Sequence, residues 1–184
     1  MSLGAAQSFS YDVPGMRVVL SQAGPMTCWA TVYTMMVSWK RQMSIPIRDA
    51  VGAVDPKYAD LYDAGLRAAN PLGMPSTEFA LFLRKAGMTH EPMMNLTIPA
   101  WLEMLRRRGL LWIGSLNVIG PGAGLHSRII EGMHGHGSAG NTWFKIIDPA
   151  GGRRYNERFD AFLSKYEGAF RSVSGDYFQI RHFF

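Results

Sequence analysis

Cysteine is almost absent from this sequence, which has one, Cys28, among 184 residues. A single cysteine forms no internal disulfide and no cysteine-rich zinc site. The chain also lacks any run of eighteen apolar residues, so we expect no membrane-spanning helix. The first fifteen residues lack the basic and apolar regions of a signal peptide. We therefore expect a cytoplasmic protein at the point of synthesis.

Patterned basic charge is also missing, although the net charge is +5. Apart from Arg106–Arg108 and Arg153-Arg154, the basic residues are scattered, with no zinc-finger spacing and no interleaved aromatic residues. This pattern predicts no nucleic-acid partner and no membrane partner. His134 and His136 form a His-x-His pair in a Gly-rich segment, but no third ligand follows at suitable spacing. We predict no metal site.

What the sequence does have is the composition of an ordinary globular protein, 47% hydrophobic and 18% charged. No linker or repeat divides it, which predicts one domain over residues 1–184. Hydrophobic residues follow a helical period up to about residue 109 and a strand-like pattern afterwards. Helices first and strands later indicate an α+β fold, with a helical lobe over about 15–109 and a sheet lobe over about 110–184.

The individual elements follow from caps, turn residues and periodicity. Thr27 and Ser76 are predicted N-caps, and Gly87 and Gly109 are predicted C-terminal stops. One predicted helix begins at Cys28, and the others span 55–70, 76–87, 98–109 and 156–166. The predicted strands span 110–119, 127–133, 142–148 and 177–184.

Cys28 has two possible interpretations: it is either a small buried apolar residue or a reactive thiolate. The start of a helix favours the second, because free N–H groups and the helix dipole stabilise negative charge there. A nucleophilic thiolate also needs a base, and that base needs a group to orient it. The neighbours of Cys28 in space therefore decide between the two interpretations.

His126 and Asp148 are the candidates for the base and its orienting group. The strands 127–133 and 142–148 are joined by a Gly-rich stretch, which predicts a β-hairpin. A hairpin centred on Gly137 places His126 directly opposite Asp148, on the same face of the sheet. Their Cβ atoms would then lie about 5 Å apart, which suits an imidazole held by a carboxylate. This prediction depends on the register, since a one-residue slip would separate them.

Gln22 is the candidate for an oxyanion hole, the set of donors that stabilises the negative oxygen formed during acyl transfer. It lies six residues before Cys28, and the Gly24-Pro25 turn between them would return its side chain toward the thiol. The backbone N–H of Cys28 would supply the second donor.

These residues stand in a pattern that resembles the papain-like cysteine proteases. The segment QAGPMTCWA (22–30) is similar to the family's Gln, five residues, then Cys-Trp-Ala, while LHSRIIEG (125–132) and KIIDP (145–149) are similar to its His and Asp strands. The likeness spans about residues 15–155 and is greatest to compact bacterial branches, including bacteriocin-processing peptidase-like domains, effector proteases of plant pathogens and secreted toxins. The plant-type disulfide is missing, and the third residue is Asp rather than Asn.

The resemblance implies a papain-like fold and peptide-bond hydrolysis by a Cys28, His126 and Asp148 triad, with Gln22 in the oxyanion hole and no cofactor. It implies a protein or peptide substrate in a target cell, delivery by a specialised bacterial secretion system, and a cognate immunity protein in the producer. Two alternatives stay open. One is an amidase of cell-wall peptides or a deamidase with the same site, and the other is an inactive peptidase-like binding module.

Overall fold

The structure is a computed structural model that describes residues 8–67, 69, 71–119, 124–172 and 179–184. Its seven strands are β1 (Phe9–Asp12), β2 (Met88–His90), β3 (Leu111–Leu116), β4 (Leu125–Gly135), β5 (Thr142–Asp148), β6 (Arg153–Arg158) and β7 (Ile180–Phe183). Its six helices are α1 (Cys28–Arg41), α2 (Ile47–Gly52), α3 (Pro56–Gly65), α4 (Ser76–Lys85), α5 (Ile98–Arg108) and α6 (Phe159–Ser172). The α+β prediction is confirmed.

All the strands lie in one sheet, in the order β2-β7-β3-β4-β5-β6, and β1 pairs with the C-terminal part of β4. Every strand pair is antiparallel. The central strands β3 and β5 are almost entirely buried, because helices cover both faces of the sheet. Within the described residues, no helix is both long enough and apolar enough to cross a membrane.

Aromatic contacts identify which helices cover which face. Trp112 on β3 meets the rings of Phe79 and Phe82 from α4. On the other face, Phe144 on β5 contacts Trp101 from α5 and Phe162 from α6. Since Trp29 and Tyr33 from α1 pack against Phe82, α1 and α4 lie on one side of the sheet, and α5 and α6 lie on the other. The predicted lobe boundary near residue 109 stays a prediction.

Several predicted elements agree with the structure, and others differ for identifiable reasons. The start of α1 at Cys28 and the whole of β5 are as predicted. The short elements β1, α2, β2 and β6 were not predicted. The helix expected over 156–166 begins at Phe159 instead, because residues 153–158 pair with β5 after the turn at 149–152. Of the strand expected over 177–184, residues 177 and 178 lie outside the described residues.

Of the two predicted N-caps, Thr27 does occupy the cap position of α1, whereas Ser76 does not occupy that of α4. The side chain of Thr27 makes no cap hydrogen bond with α1, since its hydroxyl instead donates to the carbonyl of Gly24 and accepts from the Gly24 N–H. Ser76 is the first residue of α4, and Pro75 occupies the cap position. The stops are right, because Gly87 and Gly109 both have positive φ, which a residue without a Cβ adopts at low cost.

The predicted register of the β4–β5 hairpin is also wrong. Ile129 pairs with Ile147, so continuing the ladder by one pair places Arg128, not His126, opposite Asp148. The hairpin ends in a 3₁₀ turn at Ala139–Asn141 rather than in a turn centred on Gly137, and the register shifts by one residue at Glu131. The resulting displacement of His126 is two residues, which keeps its side chain on the predicted face.

Candidate active site

The site is built around the first turn of α1. Cys28 is the first helical residue and is partly buried. The first N–H groups of a helix have no partner within it, and the Thr27 side chain caps none of those in α1. Trp29 anchors this end of the helix, because it is buried and packs edge-on against Phe82. The thiol is thus held where the helix N-terminus favours a negative charge.

Cys28 lies in a cleft of about 180 Å³ between the α1–α4 side and the sheet. The lining residues are Met26, Cys28, Trp29, Gly73, Met74, Phe79, Leu125, His126, Ser127 and Arg181. Most of the lining is apolar, and two of its polar residues, His126 and Ser127, form hydrogen bonds with the thiol. A peptide in this cleft would therefore meet Cys28 and His126 from the same side.

His126 and Asp148 are in direct contact. The His126 Nε2 and the Asp148 Oδ1 lie 2.7 Å apart, and both side chains are largely buried, at 12% and 6% exposure. The Asp148 Oδ1 also accepts a hydrogen bond from the Ala150 N–H at 2.8 Å. The two residues meet diagonally across the β4–β5 ladder, within the reach of long side chains at a two-residue offset. The predicted contact between the two side chains thus occurs, although the register of the two strands differs from the predicted one.

The charges in the site support one another. Burial raises the pKa of the Cys28 thiol, but hydrogen bonds with His126 and with the Ser127 N–H and hydroxyl outweigh burial, and the pKa lies below its ordinary value. Burial lowers the pKa of His126, but hydrogen bonds with Asp148 and Cys28 raise it to about 9. This arrangement favours a thiolate beside an imidazolium.

Asp148 stays ionised for the same kind of reason. Burial raises the pKa of its carboxyl group, but hydrogen bonds from His126, the Ala150 N–H and the Tyr155 hydroxyl bring it below the ordinary value. A buried carboxylate that accepts several hydrogen bonds is stabilised in its charged form. Since Asp148 uses Oδ1 to contact the Nε2 of His126, the Nδ1 of that ring is left for Cys28.

Gln22 lies beside the turn that follows Asp148, because its backbone N–H donates to the carbonyl of Pro149 at 2.8 Å. Its side-chain amide donates to the carbonyl of Gly24 at 3.0 Å. The Oε1 of Gln22 is buried and has no hydrogen-bond partner among the described residues. One amide N–H thus holds the turn before α1, and the same nitrogen carries a second hydrogen.

Two polar residues of the site were missed by the sequence analysis. Ser127 acts on the thiol through its N–H and hydroxyl, and the Tyr155 hydroxyl lies 3.2 Å from the Asp148 Oδ2. Tyr155 had an available signal in the turn before it, since Pro-Ala-Gly-Gly at 149–152 follows the predicted strand 142–148 and is typical of a hairpin turn. Ser127 had none beyond its place next to His126.

The remaining histidines lie elsewhere. The ring of His134 stacks on that of Trp143, and His182 is buried with its Nε2 2.8 Å from the Glu91 Oε1. Across the described ranges, no three His, Cys, Asp or Glu side chains are grouped so that they could hold a metal ion.

Comparisons with known proteins identify the family of the chain. A search of curated proteins found no match. The family model described as papain-like cysteine protease AvrRpt2 matches residues 7–167, a span that contains Gln22, Cys28, His126 and Asp148. The match covers far more than half of the chain, and the family is one of cysteine peptidases. The chain therefore belongs to the AvrRpt2 family of papain-like cysteine proteases.

Proposed function

We propose that this cysteine protease cleaves peptide bonds with a triad of Cys28, His126 and Asp148, and that it is a bacterial effector or toxin that acts on proteins of a target cell. The observation that carries the triad is the 2.7 Å contact between the His126 Nε2 and the Asp148 Oδ1 in the cleft that Cys28 lines. This geometry supports the proposal because a nucleophile, a base and an orienting group must all lie within reach of one substrate.

In the first half of the reaction, the Cys28 thiolate attacks the carbonyl carbon of the scissile bond. The Nδ1 of the His126 imidazolium then protonates the leaving amine, which departs and leaves a thioester on Cys28. In the second half, the neutral imidazole takes a proton from water, and the water attacks the thioester. The acid is released and the thiolate is restored. Asp148 holds the His126 ring in the orientation that both proton transfers need.

The negative oxygen of the tetrahedral intermediate needs donors that are already in place. We assign this role to the backbone N–H of Cys28 and to the second side-chain N–H of Gln22. The bond from the Gln22 amide to the Gly24 carbonyl restrains the nitrogen while leaving that second hydrogen available. Loss of one such donor typically lowers kcat by about a hundredfold to a thousandfold.

The proposed biological role rests on the resemblance to effector proteases and secreted toxins. It includes delivery from the bacterial cytoplasm into the target cell and an immunity protein that protects the producer. A protein substrate is the part that follows from the peptidase family itself.

The test is proteome-wide profiling of new protein N-termini after lysates of candidate target cells are incubated with the wild type or with Cys28→Ala. We expect new N-termini with the wild type alone. Identical profiles would overturn the protease role in such cells. Release of peptides from purified peptidoglycan by the wild type, and not by Cys28→Ala, would instead support the cell-wall amidase.

A further inference from the structure

Asp148 is held by a group that the triad does not include. While its Oδ1 faces His126, its Oδ2 accepts a hydrogen bond from the Tyr155 hydroxyl at 3.2 Å. Tyr155 lies on β6, where it pairs with Ile146, two residues from Asp148 on the same face of the sheet. The two carboxylate oxygens are therefore restrained from different strands, β4 and β6.

The Tyr155 hydroxyl lies between Arg128 and Asp148. The Nη1 of Arg128 donates to the Tyr155 oxygen at 3.0 Å. A guanidinium group has only donors, so the hydroxyl oxygen must accept from Arg128. Its own hydrogen is then free to point at the Asp148 Oδ2. Tyr155 is the donor because the ionised carboxylate can only accept, and Arg128 holds the hydroxyl oxygen in place for that bond.

Arg128 is itself held firmly. It is 2% exposed, and its Nε and Nη2 both donate to the Ser115 hydroxyl, at 3.1 and 2.9 Å. Its Nη1 also donates to the Glu157 Oε2 at 2.6 Å, and Glu157 in turn pairs with Lys165. Glu157 balances the charge of Arg128. Arg128 therefore acts on Asp148 through its hydrogen bond with the Tyr155 hydroxyl more than through its own charge.

We propose that Tyr155 is a positioning residue, which Arg128 orients and which holds the Asp148 carboxylate with its Oδ1 toward His126. The inference deepens the proposed triad and rests on it. The groups that face Asp148 are His126 from β4, the Ala150 N–H from the following turn, and Tyr155 and Arg153 from β6. Arg153 is 66% exposed and lies 4.0 Å from the Oδ2. Without Tyr155, the carboxylate is free to turn toward Arg153 and away from His126.

The first test needs no substrate, because Cys28 is the only cysteine in the chain. The rate of its alkylation by iodoacetamide, measured from pH 4 to 10, reports the thiolate population directly. In Tyr155→Phe we expect the alkylation midpoint to move to higher pH, because His126 is held less firmly beside the thiol. The matched control is Tyr166→Phe, which removes another buried tyrosine hydroxyl, bonded to the Met94 carbonyl at 3.0 Å. The control should keep the wild-type midpoint.

The second test uses hydrolysis of fluorescein-labelled casein. Within the described residues, the cleft lining does not include Tyr155, so we expect kcat to fall about tenfold in Tyr155→Phe while KM stays unchanged. We also expect the pH profile of kcat/KM to become narrower at both limbs. Thermal unfolding of Tyr155→Phe and Tyr166→Phe is the check that both variants are folded at the assay temperature.

The outcomes separate this inference from the proposed function. Full hydrolysis by Cys28→Ala would overturn the triad, whatever Tyr155→Phe does. If Cys28→Ala is inactive while Tyr155→Phe keeps the wild-type alkylation midpoint and kcat, the positioning role of Tyr155 is wrong and the triad stands. A broader pH profile in Tyr155→Phe would also overturn the positioning role, because the hydroxyl would then act through its dipole alone.

Discussion

At the scale of single residues, the chemistry depends on how three buried or partly buried groups share protons. Asp148 accepts three hydrogen bonds, which keep it ionised in spite of burial. That charge stabilises the imidazolium of His126, and the imidazolium stabilises the thiolate of Cys28. Each group raises or lowers the pKa of the next, so the reactive state that we propose is a thiolate–imidazolium pair.

This coupling predicts the pH dependence of catalysis. The pair forms as pH rises through the lowered pKa of Cys28, and it is lost as His126 gives up its proton near pH 9. We therefore expect kcat/KM for casein to follow a bell-shaped curve with its basic limb near 9. Alkylation of Cys28 provides the control, because the thiolate persists above that pH and the alkylation rate should not fall. A basic limb near 6.5 would contradict the role of Asp148.

At the scale of elements, the turn before α1 is packed tightly against the end of α3. A Cβ placed on Gly24 would lie 2.5 Å from the carbonyl oxygen of Gly65 and 2.8 Å from the Cα of Leu66. Both contacts are with backbone, which cannot move aside as a flexible side chain can. The same turn carries the Thr27 and Gln22 hydrogen bonds that lead into Cys28.

We therefore predict that Gly24→Ala disturbs both stability and the site. Overpacking of this kind typically costs about 1–3 kcal/mol, which urea unfolding measures. The alkylation rate of Cys28 at pH 6 should fall as well, because the start of α1 is displaced. Gly140→Ala is the control, since a Cβ there meets nothing within 4 Å. Equal stability of the two variants would show that the turn adapts.

The strands β3, β4 and β6 are linked by the buried Arg128. In Arg128→Met, the buried Glu157 loses the hydrogen bond from Nη1 of Arg128. The Ser115 hydroxyl loses the two hydrogen bonds that the Arg128 Nε and Nη2 donate to it. Removing one partner of a buried ion pair costs about 3–5 kcal/mol, again measured by urea unfolding. Arg158→Met removes an exposed pair with Asp160 and should cost at most about 1 kcal/mol. A similar cost for both variants would contradict this account of the network.

At the scale of the whole molecule, the sheet lies between two layers of helices, and the cleft opens where the α1–α4 layer meets the sheet. Cys28 comes from that layer, while His126, Asp148 and Tyr155 come from adjacent strands of the sheet. Folding therefore brings Cys28 and His126 together across 98 positions of the chain, 126 − 28. The site is absent from the unfolded chain, so its proton exchange contributes to the stability of the fold.

The dependence of the unfolding free energy on pH should reveal the proton that His126 holds in the folded state. Between the lowered pKa of Cys28 and about 9, the folded pair holds one proton on His126. Between pH 6.5 and 9.0, the ordinary pKa values of the two groups, the unfolded pair also holds one proton, on the thiol. The wild-type pair therefore does not make the free energy of unfolding depend on pH in this range. In Cys28→Ala, folded His126 keeps the hydrogen bond with Asp148 that raises its pKa but loses the contribution of Cys28, whereas unfolded His126 is neutral above its ordinary pKa of 6.5. The folded state then binds more protons, and stability falls as pH rises.

The measurement is urea unfolding of the wild type and Cys28→Ala at pH 7.0 and 8.5. The free energy of unfolding of Cys28→Ala, relative to the wild type, should fall by up to about 1.4 kcal/mol per pH unit. Other groups titrate alike in both proteins and cancel in the difference. Parallel curves would show that the bond to Asp148 does not by itself keep a proton on folded His126.

Local signals accounted for much of the fold. The helical period found α1 and α3 to α5, and the apolar runs found β3, β4 and β5. The short elements β1, α2 and β2 carry too few residues for a period to show. The strand β6, with the polar sequence Arg-Arg-Tyr-Asn-Glu-Arg, was missed because its side chains form ion pairs rather than an apolar face.

The sequence by itself determined which groups are candidates for the chemistry, since the spacing of Gln22, Cys28 and Trp29 and the two strands with His126 and Asp148 can be recognised without coordinates. Only the tertiary structure decided how those groups meet. The register set by the bulge at Glu131 and the hydroxyl of Tyr155 behind Asp148 both depend on hydrogen bonds between strands distant in the chain. Such bonds form only when the sheet is assembled, so they cannot be predicted from a local sequence pattern.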